Sequence, residues 1–339
     1  MALLGDLDQP IAMSNPFGRR ASQSRPLICF IGTLRALELT ATHLKSHLIN
    51  ALDADVFICA SRLSDADEAK AELLSPARIV DCCLYGEANG GYEELCDSIS
   101  ASLLGQRPTY PWRQALKIEG NWMGGVKGVP GSGMHLNYNY YKLKQQLRSE
   151  KILSKGYTHF IITRTDFEWL GPHPSLDLLD DRLIWIPEGE NYHGYNDRHA
   201  VCSRKTVDTY LGFFDDLISG KALTYLHKYK SLNHEYQLKL YLDAKGKRVG
   251  RFKNLAYLTG LHDTPSNCAK LVSKEIDGKT YFCKYPAEVD SSTFNTRMLA
   301  HQNHPESFII KPHPWHSRVP LWKARIRSLN PFSLPAHAK

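Results

Sequence analysis

The stretch KGYTHFIITRTDFEWLGPHPSLDLLDDRLIWIPEGENYHGYNDRHAVCSR, residues 155–204, contains two short apolar runs, each followed by polar and charged residues. The first run, His159–Thr163, is mostly apolar and β-branched, which is typical of a strand buried on both faces of a parallel sheet. Arg164, Thr165 and Asp166 follow it directly. Ligands of open α/β sheets bind outside the carboxyl ends of the strands. The pattern therefore predicts a phosphate or metal site here, with a surface ion pair as the alternative.

The second apolar run, Leu183–Pro187, predicts another strand. The loop that follows it is dense in titratable and polar side chains, and folding alone does not require that density. We therefore expect the loop to carry function. Its candidate residues are Glu188, Glu190, His193, Asn196, Asp197, Arg198 and His199.

The region before this stretch alternates between apolar runs and segments of helical periodicity. This β-α-β-α-β order predicts a doubly wound, mostly parallel central sheet with flanking helices. The predicted elements are strand Leu27–Ile31, helix Glu38–Leu52, strand Asp55–Ala60, helix Glu68–Leu74 and strand Ala77–Cys82.

The first predicted strand runs into the sequence GTLR, residues 32–35. Gly32 allows close approach of a ligand to the backbone, and Arg35 together with helix amides favours an anion. We therefore interpret Gly32, Thr33 and Arg35 as candidate nucleotide contacts. The turn is not G-x-G-x-x-G, so it does not predict dinucleotide binding.

Four further segments complete the predicted body. Gly105–Gly133 is rich in Gly, Pro and Trp and is interpreted as a mobile flap. Helices are expected over Met134–Leu147, Thr206–Ile218 and Leu232–Leu242. Asp277-Gly278, within Lys274–Tyr281, predicts a type I′ hairpin.

The last of these helices has Asn233 as its predicted N-cap, and Glu235 falls in its first turn. An acidic residue there can simply complement the helix dipole. It can equally belong to a site, and the sequence leaves both interpretations open.

Composition fits an ordinary globular protein, with 339 residues, 42% hydrophobic and 23% charged. No apolar run approaches the roughly 18 residues of a membrane span, and residues 1–25 resemble a poorly ordered leader rather than a secretory signal. The eight cysteines lack zinc-like spacing, so a reduced, cytoplasmic protein is expected. The body lacks the basic face that nucleic-acid binding requires.

Most of the net charge of +7 lies in the tail, residues 301–339, which has six basic residues against one acidic residue. Apolar residues at 319, 321, 322, 326 and 329 can share one helix face there. The pattern suits an amphipathic helix lying on the inner, anionic surface of the cytoplasmic membrane. Packing of that helix on the body is the alternative.

Four pieces of sequence resemble nucleotide-sugar-dependent glycosyltransferases of the GT-A fold, in particular enzymes of bacterial cell-surface polysaccharide synthesis. They are ICFIGTLR, DVFICA, FIITRTDFEW and GYNDRHAVCSR, which together span Leu27–Leu242. The resemblance implies one transferase domain over residues 26–300. It also implies a nucleotide-sugar donor and a glycan or lipid-linked acceptor.

The family places an acidic motif, commonly Asp-x-Asp, at the end of a central strand, where it holds Mn²⁺ or Mg²⁺ on the donor diphosphate. Here the position reads Arg164-Thr165-Asp166, so only the second acid matches. By resemblance, Asp166 binds the metal or the diphosphate, and His262 is a candidate late metal ligand. The alternative is that Arg164 neutralises the phosphate directly.

The loop after the second strand faces the acceptor in this family. The resemblance therefore implies that His193 and Asn196 bind the acceptor. It also makes Asp197 the favoured catalytic base, with Glu235 as its competitor. Two other interpretations remain: a phosphoryl or nucleotidyl transferase on the same sheet, and a non-catalytic peripheral membrane scaffold with a degenerate site.

Overall fold

The computed structural model describes residues 11–12, 25–86, 91–260, 271–301 and 304–312. The predicted tail helix and His262 lie outside the described residues. The described strands are β1 (Ile11–Ala12), β2 (Leu27–Thr33), β3 (Asp55–Ser61), β4 (Ile79–Tyr85), β5 (His159–Arg164), β6 (Phe167–Trp169), β7 (Ile184–Pro187), β8 (His199–Ser203), β9 (Val249–Phe252), β10 (Ala256–Leu258), β11 (Val272–Ile276), β12 (Lys279–Cys283) and β13 (Ile309–Ile310).

Helices flank the strands on both sides. The described α-helices are α1 (Leu37–His43), α2 (Asp67–Ala71), α3 (Gly91–Leu104), α4 (Gly133–Ser149), α5 (Val207–Tyr210), α6 (Phe213–Ile218), α7 (Leu223–Leu226), α8 (His234–Ala244) and α9 (Pro286–His301). A π-helix over Leu44–Ile49 continues α1. Short 3-10 helices cover Glu72–Leu74, Pro111–Lys117, Asn121–Met123, Ile152–Ser154, Leu176–Leu178 and Pro305–Phe308.

Nine strands form the central sheet in the order β1-β4-β3-β2-β5-β8-β7-β9-β13. Strands β2 to β5, β7 and β9 share one direction, whereas β1, β8 and β13 run the opposite way. The protein is therefore a mixed α/β structure with a large, mostly parallel central sheet, as the sequence predicted.

The two faces of the sheet are covered by different segments of the chain. Alternate residues of β2 point to opposite faces, so that Ile28 and Phe30 pack with α1, the π-helix and α2. Cys29 and Ile31 pack with α3, α4 and the helices after β8. From β2 the chain adds β3 and then β4 on one side of β2, and the helices of these connections cover the first face of the sheet. After β4 the chain crosses the second face through α3 and α4 and enters β5, on the other side of β2. This reversal makes the sheet doubly wound and leaves a topological switch point between β2 and β5.

The segment Gly105–Gly133 is part of the core, and its interpretation as a mobile flap was wrong. It carries two 3-10 helices, and both Trp112 and Trp122 are fully buried. The Nε1–H of Trp122 donates to the carbonyl of Ile118 at 3.0 Å. The glycines form turns that let the chain fold back on itself. The free energy gained by burying two tryptophan side chains exceeds the cost of ordering this flexible segment.

The predicted helix Thr206–Ile218 is divided into α5 and α6 at Gly212. A Cβ atom added to Gly212 would lie 2.7 Å from the Tyr241 hydroxyl, so the Tyr241 side chain of α8 leaves little room for one there. The hairpin prediction is confirmed, because β11 and β12 pair antiparallel. Asp277 and Gly278 have φ values of 52° and 73°, as a type I′ turn requires.

We expect Trp122→Ala to reduce the free energy of unfolding by about 3–5 kcal/mol, because it removes a fully buried ring and leaves a cavity. Urea denaturation measures the loss. Leu103→Ala is the matched control, since Leu103 is exposed on α3 and its replacement should change stability by less than about 0.5 kcal/mol. Equal stability of the two variants would show that residues 105–133 do not belong to the core.

Candidate functional site

The ends of β2 and β5 are joined by threonine hydroxyls at the switch point. The Oγ1 of Thr165 donates to the carbonyl of Thr33 at 2.8 Å, and the Oγ1 of Thr40 donates to the carbonyl of Thr165 at 2.6 Å. These bonds fix the loop after β5 against the loop after β2. The two sequence-predicted candidate segments, GTLR and RTD, therefore lie side by side.

Asp166 is the buried centre of this edge. Its carboxylate accepts from Arg164 Nε at 2.8 Å and Nη2 at 2.6 Å, and from Arg35 Nε at 3.3 Å. Burial alone would raise the pKa of Asp166, but the two guanidinium groups outweigh it and hold the pKa below its ordinary value. The Asp166 side chain is 6% exposed, whereas those of Arg164 and Arg35 are 21% and 30% exposed. The surface of this cluster is therefore cationic, and its carboxylate lies beneath.

A histidine that the sequence did not single out lies next to the arginines. His135 of α4 has its Nδ1 2.7 Å from the Tyr92 hydroxyl and its Nε2 3.5 Å from the Ser61 hydroxyl at the end of β3. Burial, together with the charges of Arg35 and Arg164, lowers its pKa to about 4. A neutral imidazole therefore borders the cationic edge at neutral pH.

Asp197 lies at the same edge because β8 runs antiparallel to β5, with His199 paired to Thr163. The Asp197 carboxylate is 2.7 Å from Nδ1 of His234, at the start of α8. Burial raises the pKa of Asp197, but the hydrogen bond and charge of His234, with Arg198 and Arg164, bring it below the ordinary value. Arg164 therefore acts electrostatically on Asp166 and Asp197 alike.

His234 is held on its other side as well. Its Nε2 lies 3.1 Å from Oδ1 of Asn137, and the hydroxyl of Tyr140 donates to the backbone carbonyl of Asp197 at 3.0 Å. Asn137 and Tyr140 both come from α4. Sequence reasoning missed these three partners because 37 to 60 residues separate them from Asp197.

Glu235 differs sharply from Asp197. Burial, followed by the repulsion of the Asp197 charge, raises its pKa to about 7. Asn233 caps this helix as predicted, with its side chain accepting from the Tyr236 amide at 2.7 Å. Two nearby carboxylates whose pKa values are displaced in opposite directions are typical of acid–base sites.

The loop between β7 and β8 adopts an unusual backbone. Glu190, Tyr192 and His193 have φ values of 47°, 42° and 68°, in the left-handed region that side chains disfavour. The side chain of the buried Asn196 holds the loop together. Its Nδ2 donates to the backbone carbonyl of Gly189 at 3.1 Å, and its Oδ1 accepts from the backbone N–H of Arg198 at 3.0 Å. His193 is exposed, whereas the amide of Asn196 is occupied within the loop.

Arg198 links this loop to α9. It is buried, it pairs with the buried Glu288, and Glu190 lies 3.8 Å away. Its guanidinium carbon lies 4.7 Å from the centre of the Tyr285 ring. Burial disfavours its charge, but Glu288 and Asp197 outweigh burial and raise its pKa.

A divalent cation finds a poor donor set among the described residues. No three His, Cys, Asp or Glu side chains in that part of the chain are arranged to hold a metal. Asp166, the predicted ligand, already accepts from Arg164 and Arg35, and two guanidinium groups repel a further cation. The described residues therefore fit an anion at this edge better than Mn²⁺ or Mg²⁺.

No protein-family model matches the chain, and no curated protein does. Among solved structures, apo mouse xyloside xylosyltransferase 1 is similar to it, with a TM-score of 0.37 and 9% sequence identity. The similarity covers 67% of this chain and 84% of the mouse chain. A distant structural neighbour is thus a glycosyltransferase. No helix within the described ranges is long and apolar enough to cross a membrane.

The raised pKa of Glu235 predicts a pH-dependent stability. The folded protein binds this proton more tightly than the unfolded chain, so the stabilisation is complete below pH 4.5 and is lost as pH rises through about 7. Glu235→Gln stays neutral, so the variant should gain stability relative to the native protein between about pH 5 and about pH 8.

Thermal or urea unfolding at the two pH values measures this change. Glu72→Gln, on an exposed 3-10 helix, is the matched control variant. A pH-independent difference between Glu235→Gln and the native protein would contradict the pKa assignment.

Proposed function

We propose that the protein is a nucleotide-sugar-dependent glycosyltransferase that transfers a sugar to a hydroxyl of a glycan or lipid-linked glycan. One observation carries the proposal. An arginine pair at the topological switch point shares its edge of the sheet with Asp197, and Asp197 and the neighbouring Glu235 have pKa values displaced in opposite directions. Sugar transfer from a nucleotide needs both parts, since a diphosphate must leave and a hydroxyl must lose its proton.

Arg164 and Arg35 are the proposed diphosphate ligands. Negative charge develops on the leaving diphosphate in the transition state, and fixed cations stabilise it there more than in the ground state. Asp166 is then a positioning residue, because its buried carboxylate fixes the directions of both guanidinium groups. No step of this scheme requires a metal.

Glu235 is the proposed general base. A pKa of about 7 lets a carboxylate accept a proton near neutral pH more strongly than an ordinary glutamate does. In the proposed step the acceptor hydroxyl gives its proton to Glu235, and its oxygen attacks the anomeric carbon. The bond from that carbon to the diphosphate breaks, and the nucleoside diphosphate leaves. A single displacement of this kind inverts the anomeric configuration.

Asp197 is less suited to the role of base, although its loop position favoured it in the sequence. Its carboxylate is paired with His234, and its pKa lies below the ordinary value. In the proposed mechanism it stays ionised. Its charge adds to the effect of burial, which is the larger cause of the raised pKa of Glu235.

Donor binding tests the proposal directly. Isothermal titration with UDP-, GDP- and CMP-sugars should give binding by at least one of them, and binding confined to free nucleoside triphosphates would favour the nucleotidyl-transfer alternative. Absence of any nucleotide binding would leave only a non-catalytic role. A metal chelator should not abolish binding, because the proposed ligands are arginines.

We expect Arg164→Ala and Arg35→Ala each to weaken donor binding by about 10- to 100-fold, as loss of a charge-assisted hydrogen bond does. Arg182→Ala is the matched control, since Arg182 also pairs with an aspartate but its side chain is 78% exposed. Donor affinities equal to that of the control would remove the arginines from the diphosphate site.

We expect Glu235→Gln to lower kcat by about 100-fold or more, because general-base catalysis contributes about 10²–10⁴-fold. Donor affinity, measured by titration, should be retained. In the native protein kcat should rise with pH through about 7 as Glu235 loses its proton, and the variant should lack this rise. Undiminished turnover of Glu235→Gln would transfer the role to another group, and Asp197→Asn is the variant to compare.

A further inference from the structure

Two tyrosines lie close to the part of the site that contains Asp197 and Glu235. Tyr192 is an exposed aromatic residue of the loop before β8, and Tyr285 immediately precedes α9. Their ring centres are 6.3 Å apart with an angle of 55° between the ring planes. The Tyr192 hydroxyl donates to Oε2 of Glu190 at 2.5 Å. Neither tyrosine has a role in the catalytic scheme above.

The loop that carries Tyr192 lies directly on the first turn of α8. The side-chain amide of Asn233 donates to the backbone carbonyl of Tyr192 at 2.9 Å. The backbone N–H of Tyr195 donates to the backbone carbonyl of Glu235 at 3.0 Å. A Cβ atom added to Gly194 would lie 1.9 Å from that same carbonyl oxygen. Tyr192 is therefore held within the same small unit of structure as the proposed base.

The backbone conformation at this point is costly. Tyr192 and His193 are bulky residues with positive φ, and such residues persist only where surrounding contacts impose the conformation. The contacts of Asn196 and Asn233 supply that constraint. A less strained residue such as glycine would fit the same backbone, so the presence of an exposed aromatic ring there calls for a functional reason.

Tyr285 is held equally firmly. The Arg198 guanidinium lies over its ring, and Arg198 is itself fixed by Glu288. The Lys284 ammonium also lies over the Tyr285 ring, 5.2 Å from its centre. The exposed ring of Tyr192 is therefore the open aromatic surface, with Tyr285 fixed beside it and polar atoms at the rim. Polar side chains around aromatic surfaces are typical of small-ligand sites, where the rings supply contact area and the polar groups fix orientation.

We propose that Tyr192 and Tyr285 bind the apolar C–H face of the acceptor's terminal pyranose ring. The proposal rests on the proposed function and names the class and binding surface of the acceptor. A pyranose has one or two faces of C–H groups and a rim of hydroxyls, which matches an aromatic surface bordered by Glu190 and His193. The loop that carries Tyr192 contacts the first turn of α8, so a ring bound there lies near Glu235.

Saturation-transfer NMR with methyl glycosides of glucose, galactose, mannose and xylose tests the proposal. At least one should bind the native protein, with saturation strongest on ring C–H protons. Tyr192→Ala should weaken that binding by about tenfold. Phe282→Ala is the matched control, because Phe282 is 42% exposed against 41% for Tyr192 but lies on the β11–β12 hairpin. Equal affinities in the two variants, or no glycoside binding to the native protein, would overturn the proposal.

Tyr192→Gly separates binding from folding. Glycine adopts positive φ without strain, so this variant should melt at the same temperature as the native protein or higher, while glycoside affinity falls as in Tyr192→Ala. Loss of affinity accompanied by a lower melting temperature would assign Tyr192 a merely structural role. Uridine serves as a further probe, since Tyr192-dependent uridine binding would identify the pair as a nucleobase site instead.

Failure of this proposal is distinguishable from failure of the proposed function. Donor binding without Tyr192-dependent glycoside binding would reject the tyrosine surface and retain the transferase. Glycoside binding without nucleotide binding would retain the surface but identify the protein as a glycan-binding module.

Discussion

A buried carboxylate must be paired, and the pairing of Asp166 with two arginines is the interaction on which the site depends. Arg35 follows β2 and Arg164 ends β5, so the two ion pairs join the strands on either side of the switch point. Removing one partner of a buried charged pair costs about 3–5 kcal/mol, since it leaves a charge without compensation. One buried carboxylate thus holds the two arginines of the cationic edge and links the ends of β2 and β5.

In the part of the site formed by Asp197 and Glu235, burial and neighbouring charges set the pKa values of the two acids. Asp197 and Glu235 are both withdrawn from water, yet only Asp197 has a histidine against its carboxylate. That contact decides which acid ionises first, and the resulting charge then opposes ionisation of the other. The two neighbouring acids thus have pKa values displaced in opposite directions, as the proposed division of roles requires.

The sequence predicted much of the fold, because the apolar runs at Leu27–Ile31, Asp55–Ala60 and His159–Thr163 are local signals. The type I′ hairpin at Asp277-Gly278 and the Asn233 cap are local as well, and both are confirmed. The sequence also singled out the polar segments that the structure brings to one edge, since strand ends are recognisable from periodicity.

What the sequence could not predict depends on contacts between distant segments. His234 faces Asp197 and Asn137 across 37 and 97 residues, and no spacing rule indicates such a pairing. The region 105–133 was misjudged for the same reason. Its glycines are visible in the sequence, but the packing partners of Trp112 and Trp122 are not.

The two halves of the site are electrostatically connected through Arg164, which lowers the pKa of both Asp166 and Asp197. In the proposed reaction a diphosphate bound at Arg164 and Arg35 adds negative charge at this edge. Like charge disfavours ionisation of a nearby carboxylate, so the proposed diphosphate opposes at Asp197 the effect of Arg164. Burial and then the Asp197 charge raise the pKa of Glu235, so the proposed donor site and the proposed base are coupled through Arg164 and Asp197.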